Sequence, residues 1–261
     1  MTNLRNKINK IIKRKNKKPL VCLTAYSRSL SQILDKHCDI ILVGDSLGMV
    51  LYGMESTKQV SIDMMINHAK SARLGVKKSL FVVDMPFNTY RNKKEAYFNA
   101  RKIIKLSNCD ALKLEGGKKI INIIKHLTKR GIPVMGHVGL LPQESTNFKV
   151  KGKSFAQKKR IFEDAKAVSK SGVFAIVLEC VIESLAKKIT KNISVPTIGI
   201  GASKHCDGQI LVSDDMLGLS DFFPKFVKKY SNLNKIIDKS IKKYVTDVKM
   251  RRFPSLKNVY K

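Results

Sequence analysis

IILVGDSLGMV, residues 40–50, opens with four aliphatic residues uninterrupted by polar ones, then breaks at Gly44 into Asp45-Ser46. A strand with one wet face alternates apolar and polar residues. An unbroken aliphatic run reads instead as a parallel strand covered on both faces. A carboxylate at the end of such a run is costly to bury unless something uses it.

The same signature recurs outward in both directions. PLVCLTAY starts at Pro19, LFVVDMPF at Leu80, ALKLEGG at Ala111, IPVMGHVG at Ile132, FAIVLEC at Phe174 and VPTIGIG at Val195. Helix-like segments stand between them, among them Lys93 to Leu106, Lys118 to Lys129, Ala156 to Lys170 and Glu183 to Lys191. Sustained strand-helix alternation argues for an α/β fold, and seven visible strands favour a closed (β/α)8 barrel over an open sheet. The eighth strand is expected near QILVSD, Gln209 to Asp214. FFPKFVKKY, which ends at Tyr230, and the segment Asn232 to Met250 are expected as C-terminal helices outside the barrel.

Residues 1–18 are basic, with Leu4, Ile8, Ile11 and Ile12 at helical spacing, and read as an amphipathic helix laid on the domain rather than a targeting segment. One domain spanning residues 1–261 accounts for the length, which is usual for a barrel of this kind.

Composition narrows the classes of function. No apolar run is long enough to span a bilayer, so no membrane partner is expected. The five cysteines are odd in number and form no C-x-x-C pair, which argues against a disulfide framework or structural zinc and fits a reducing cytoplasm. A formal charge of +31, taken alone, points to a polyanion. The lysines, however, are spread along nearly every helix, without an aromatic-interleaved cluster or a recognition helix. The charge therefore reads as solvated surface enriched by A/T-rich codons, and no nucleic-acid partner is expected.

The chemistry-bearing residues fall at the strand ends. Asp45 ends the second strand, Asp84 the third, Lys113 and Glu115 the fourth, His137 the fifth and Glu179 the sixth. Singly, each has a structural explanation, such as a cap or an Asx turn. Their repetition at the face where parallel barrels hold their active sites points to one pocket. Clustered carboxylates raise one another's pKa, and a hard divalent ion relieves them. Mg²⁺ suits Asp45 and Asp84 directly, and Glu115 directly or through water; nothing favours zinc. Lys113 shares a strand face with Glu115 and can bind an anionic substrate. Glu179 emerges from an apolar floor, where desolvation lifts a carboxyl toward the range of a general base. His137, near Gly136 and Gly139, stands where a ligand can approach closely.

LVGDSLGMV, VVDMPF, LKLEGG, GIPVMGHVGLLPQ, IVLEC, PTIGIGA and CDGQILV occur in this order, with TAY at Thr24 before them and PKF at Pro224 after them. Together they resemble the ketopantoate hydroxymethyltransferase family from about Thr24 to Tyr230. The resemblance implies a TIM barrel of the phosphoenolpyruvate/pyruvate type. It implies Mg²⁺ at Asp45, Asp84 and Glu115, with Mn²⁺ or Co²⁺ able to substitute. It also implies a 2-oxo acid bound by Asp45, Ser46, Asp84 and Lys113, with His137 as a further pocket residue, and Glu179 as the proton acceptor. The implied reaction carries a hydroxymethyl group from methylenetetrahydrofolate to 3-methyl-2-oxobutanoate through a Mg-stabilised enolate. Its product is 2-dehydropantoate, on the route to pantothenate and coenzyme A. The implied partners are the small-molecule oxo acid and the folate, in a cytoplasmic homo-oligomer, a decamer.

Four departures from the family pattern stand out. Ser27 replaces the usual Asp after TAY, Ile182 a Pro, and Ser203 a Gly; the loop ESTNFKVKGKS, after Gln143, lacks a Gly-Gly-Tyr. None removes a metal acid or the base, while the short loop bears on substrate closure and folate contacts. One rival is a carbon-carbon lyase or mutase of the same superfamily, whose usual K-K-C-G-H loop is missing here. The other is a basic nucleic-acid binder that uses the barrel as a scaffold.

Overall fold

The unbroken aliphatic runs fold as eight parallel strands in sequence order, with the eighth pairing back onto the first to close a barrel. The structure, a computed structural model, describes residues 2–145, 149–220 and 223–260. The elements run α1 (Thr2–Ile12), β1 (Leu20–Thr24), α2 (Arg28–Leu34), β2 (Ile40–Val43), α3 (Leu47–Val50), α4 (Ile62–Arg73), β3 (Leu80–Asp84) and α5 (Lys93–Ser107). They continue through β4 (Ala111–Glu115), α6 (Ile121–Thr128), β5 (Val134–Gly139), α7 (Phe155–Ser169), β6 (Ala175–Glu179), α8 (Glu183–Asn192), β7 (Thr197–Ile200) and β8 (Gly208–Leu211). Last come α9 (Ser213–Leu217) and α10 (Leu233–Lys249). The chain divides into two compact units, Met1–Val212 with the barrel and Ser213–Lys261 with α9 and α10.

Two apolar layers follow from the period of two along each strand. One alternate set, including Ile41, Val43, Phe81, Val83, Leu112, Leu114, Ile176 and Leu178, packs in a core with buried residues of the surrounding helices. The other set, including Leu20, Ile40, Leu42, Leu80, Val82, Ala111, Met135, Val177 and Ile198, fills the barrel interior. Counting two residues further along the interior set reaches Asp84, Lys113, His137 and Glu179. The strand periodicity thus stacks a polar layer on an apolar plug.

The plug is closed from below by α1. Ile11 is buried against it, with Leu4 and Ile8 partly covered beside it. The helix and the turn that follows it are pinned by cations: Lys7 Nζ lies 3.1 Å from Asp110 Oδ2, and Lys15 Nζ, beyond the helix end, lies 2.8 Å from Asp207 Oδ2. Asp207 also accepts hydrogen bonds from the backbone N–H of Asn16 at 2.7 Å and of Thr197 at 2.9 Å. Its carboxylate therefore ties the end of α1 to the start of β7. We expect Asp207→Ala to cost about 3–5 kcal/mol, because it leaves a largely buried ammonium without its counterion, with only the Thr190 carbonyl as acceptor, and takes the acceptor from two backbone donors. At this chain size that lowers the thermal midpoint by about 10 °C. A scan showing a shift below about 2 °C would contradict this role.

Local chemistry sets several boundaries. Asn92 Oδ1 accepts from Glu95 N–H at 2.9 Å and starts α5, while Asn108, at φ 54°, stops it. The expected helix from Lys118 opens as a single 3₁₀ turn, Lys118–Ile120, before α6, because Gly116-Gly117 precede it. FFPKFVKKY is a correction: Phe223 to Tyr230 form no helix and hold only a turn at Lys225–Phe226, and Phe222 lies outside the described residues. Pro224 offers no N–H and biases Phe223 toward extended backbone. The following helix does form as α10, capped by Asn232 Oδ1, which accepts from Lys235 N–H.

Candidate active site

The polar layer is a connected chain of charges. Asp84 and Lys113 are register partners on β3 and β4, and Lys113 Nζ lies 2.7 Å from Asp84 Oδ1 and 3.5 Å from Glu115 Oε1. Glu115 and His137 are partners on β4 and β5, with Glu115 Oε1 3.3 Å from His137 Nδ1. The other ring nitrogen, Nε2, lies 3.3 Å from Glu179 Oε2 on β6. His137 thus stands between the acids and the expected base.

Asp45 arrives differently, because β2 ends at Val43 and the chain turns through Gly44. Its backbone N–H donates to Asp84 Oδ2 at 3.0 Å. A Cβ on Gly44 would lie 3.0 Å from Ser46 Oγ and 3.5 Å from Asp84 Oδ2, so the turn leaves little room for a side chain. Ser46 is half-buried at the edge of the group, its Oγ 2.9 Å from the Tyr26 hydroxyl. Asp45, Asp84, Lys113, Glu115 and His137 are all buried.

One ammonium faces three carboxylates, and the titration of each group follows from that. Burial, then Asp84 and Glu115, push Asp45 well above the usual carboxylate range. Asp84 is raised by burial, with Lys113 opposing. Burial also works to raise Glu115, but His137 and Lys113 more than offset it and hold it at about 2. Lys113 loses water, yet its three acid neighbours outweigh that and raise it. Glu179 is lifted by burial to about 7, with His137 opposing. That is the range in which a carboxylate works as a base near neutrality.

Asp84 Oδ1 and both His137 ring nitrogens are buried without a well-formed hydrogen bond despite these short distances. Among the described residues, no three acid, histidine or cysteine side chains grip a single ion by themselves. Mg²⁺ does not need that many, since one or two carboxylates with water and substrate oxygens hold it.

Gln143 was not among the expected site residues, yet it sits at the centre of the acids. Its Nε2 donates to Asp45 Oδ2 at 2.7 Å and to Met85 O at 2.9 Å, and its backbone N–H donates to Glu115 Oε2 at 3.2 Å. The Tyr90 hydroxyl reaches Gln143 Oε1 and, at 3.2 Å, Glu115 O. The signal available in the sequence was its place at the end of GLLPQ, after the fifth strand.

The departures lie around this group. Ser27 precedes α2, its Oγ 3.2 Å from Ser29 Oγ. Ser203 donates to Glu183 Oε1 at 3.0 Å, and Ile182 packs against the apolar core at the start of α8. In the short loop, Thr146, Asn147 and Phe148 lie outside the described residues. Lys151 rejoins the rim, its N–H donating to Cys180 O at 2.7 Å.

A family model described as ketopantoate hydroxymethyltransferase matches residues 5–256. The chain is 59% identical over 257 residues to the 3-methyl-2-oxobutanoate hydroxymethyltransferase of Pelagibacter ubique, covering 98% of this chain and 100% of that one. It is 51% identical over 252 residues to the protein of the same name in Rhizobium etli, covering 95% and 92%. Among solved structures, phosphonopyruvate hydrolase in complex with oxalate and Mg²⁺ aligns with a TM-score of 0.61 at 9% identity, covering 97% of this chain and 93% of that one. A 2,3-dimethylmalate lyase of the PEP mutase/isocitrate lyase superfamily gives 0.62 at 11%, covering 98% and 86%. At such low identity these last two likenesses speak for the barrel alone.

Proposed function

The chain belongs to the ketopantoate hydroxymethyltransferase family, and from that premise we propose that it moves a hydroxymethyl group from methylenetetrahydrofolate to 3-methyl-2-oxobutanoate, yielding 2-dehydropantoate for pantothenate and coenzyme A synthesis. The observation that carries the reading is the row of buried Asp84, Lys113, Glu115 and His137 that ends at partly buried Glu179. It sets an anion-binding ammonium at one end and a carboxylate lifted to about 7 at the other.

Lys113 and Ser46 hold the carboxylate end of the oxo acid, which fixes the distance from that end to C3. Glu179 takes the C3 proton. The electron pair left behind moves into the enolate and then forms the bond to the folate's one-carbon unit, a methylene held by two nitrogens. Both carbon-nitrogen bonds break with their electrons going to nitrogen, and one water entering from the rim supplies the hydroxyl oxygen. The C3 proton and one proton of that water end on the two nitrogens. His137, between Glu115 and Glu179, orients the base. The plug and α1 close the barrel below, so water reaches the enolate only from the rim.

The residues present fit a divalent cation. Three buried carboxylates face one ammonium, Asp45 is driven upward by its neighbours, and Asp84 Oδ1 lacks a well-formed hydrogen bond. Asp45 and Asp84 would hold Mg²⁺ with Glu115 behind them, and Mn²⁺ or Co²⁺ accept the same oxygen donors. When bound, the cation supplies charge neutralisation at the oxo acid's oxygens. Gln143→Ala removes the donor that orients Asp45, so Mg²⁺ affinity measured by calorimetry should fall by about tenfold or more. An unchanged affinity would remove Gln143 from the site.

Within the same reading, the enzyme works in the cytoplasm as a homo-oligomer, a decamer, with the oxo acid and folate as its partners and no nucleic acid or membrane. Among the described residues no helix is long and apolar enough to cross a membrane. The test is turnover by the purified protein with both substrates and Mg²⁺, lost on chelation and regained on adding metal. No product with any of the three metals would overturn the reading.

A further inference from the structure

A cavity of about 690 Å³ lies on the rim of the barrel, between the segment that starts at Gly117 and the first half of α7. Four cations line it, Lys118, Lys119, Lys151 and Arg160, against two carboxylates, Glu144 and Asp164. Three of the cations are mostly exposed and only loosely paired: Lys118 to Glu163 at 3.4 Å, Lys119 to Glu144 at 3.9 Å and Arg160 to Asp164 at 3.8 Å. Exposed pairs of this kind hold their partners weakly. The fourth, half-buried Lys151, makes no side-chain hydrogen bond or ion pair among the described residues. Its charge is therefore available to a ligand.

The position matters as much as the charge. Gly139, in the cavity wall, is the register partner of Glu179, and Lys151 is hydrogen-bonded through its backbone to Cys180. The cavity thus opens beside the strand end that carries the base. The folate must bring its one-carbon unit to the carbon that Glu179 deprotonates, but the interior beneath is already filled by the apolar plug. The rest of the donor has to leave over the rim. A reduced folate carries an aminobenzoyl ring and then one or more glutamates, each adding a carboxylate. Leu141 and Ile161 supply apolar wall for such a ring, and the four cations lie beside them. The volume is within the range of small-molecule sites.

We propose that this cavity binds the aminobenzoyl-glutamate tail of the folate donor, and that Lys118 and Lys151 recognise its carboxylates. The proposal rests on the reading of the reaction given above. It assigns these residues to donor binding and not to the oxo acid, so longer glutamate tails should bind more tightly.

The test is steady-state kinetics with monoglutamyl and triglutamyl methylenetetrahydrofolate, using the wild type, Lys118→Glu/Lys151→Glu, and Lys105→Glu on exposed α5 as the control. In the double variant, KM for the triglutamyl donor should rise about tenfold or more, and KM for the monoglutamyl donor less. Its KM for the oxo acid and its kcat at saturating donor should stay near the wild type, and the control should match the wild type throughout. Wild-type turnover with an unchanged donor KM in the double variant, or an equal rise in both substrates' KM, overturns this inference alone. Absence of wild-type turnover overturns the underlying reaction as well. Should the double variant not fold, p-aminobenzoyl-triglutamate added to the wild type decides. Inhibition competitive with the donor and relieved by salt supports the assignment, and no inhibition overturns it.

Discussion

Replacing Glu179 with glutamine is expected to lower kcat by about 10²- to 10⁴-fold while leaving the KM for 3-methyl-2-oxobutanoate nearly unchanged. The amide keeps the size of the side chain and can still contact His137, but it cannot accept the C3 proton. In the proposed reading Lys113 and Ser46 hold the oxo acid, so its binding has no reason to follow. The pH dependence sharpens the test. Burial lifts the Glu179 carboxyl to about 7, so wild-type kcat/KM should rise as pH increases through that value and the base loses its proton. The residual rate of the variant should lack that limb. A variant as active as the parent would remove Glu179 from the base role.

Lys113→Met is expected to act on stability and activity together. Lys113 is the ammonium among Asp45, Asp84 and Glu115, and it is buried with them. Removing one partner of a buried charge group costs about 3–5 kcal/mol, because the remaining charges have lost both water and counterion. The same change removes the proposed anchor of the substrate carboxylate, for an expected loss of about 10²-fold in kcat/KM. The sign of the pH effect follows from the acids. Without the ammonium Asp45 and Asp84 rise further above their unfolded values and Glu115 loses part of what holds it below its own, so the native state binds more protons relative to the unfolded chain than the wild type does. Stability is then fully present below the ordinary carboxylate value of about 4 and is lost as pH rises above it. The deficit against the wild type should therefore be small near pH 4 and largest near neutrality, and millimolar Mg²⁺ should restore part of it. Equal thermal midpoints at pH 7 without metal would show that the ammonium does not compensate these acids.

Much of this was legible in the chain because strand chemistry is local. IILV, LFVV and AIVL carry no alternation, and only a sheet covered on both faces accepts such runs. Once the strands are placed, the period of two sends Asp84, Lys113, His137 and Glu179 inward, and the direction common to parallel strands gathers them at one end. Asp45 is the exception, since it reaches the group through a turn at Gly44 and not along a strand. Gln143 is illegible for a related reason. It comes from a loop, its neighbours carry no periodic signal, and only the closed barrel brings it against Asp45 and Glu115. The amphipathic stripe of α1 was readable as a face that needed covering, but not what it covers. That depends on the lower end of the barrel being open, and on Asp110 and Asp207 lying where Lys7 and Lys15 can reach them. FFPKFVKKY misleads because its aromatic and basic spacing imitates a helix, while Pro224 withdraws the backbone donor a helix interior requires.

The central claim is that Glu179 removes the C3 proton of the oxo acid bound beside Lys113, before any carbon-carbon bond forms. The direct measurement is exchange of that proton for deuterium, followed by NMR with protein, 3-methyl-2-oxobutanoate and Mg²⁺ in D₂O without folate. Exchange is expected with the wild type and its loss in Glu179→Gln. Wild-type turnover without any exchange, or exchange at an equal rate in the variant, would contradict it.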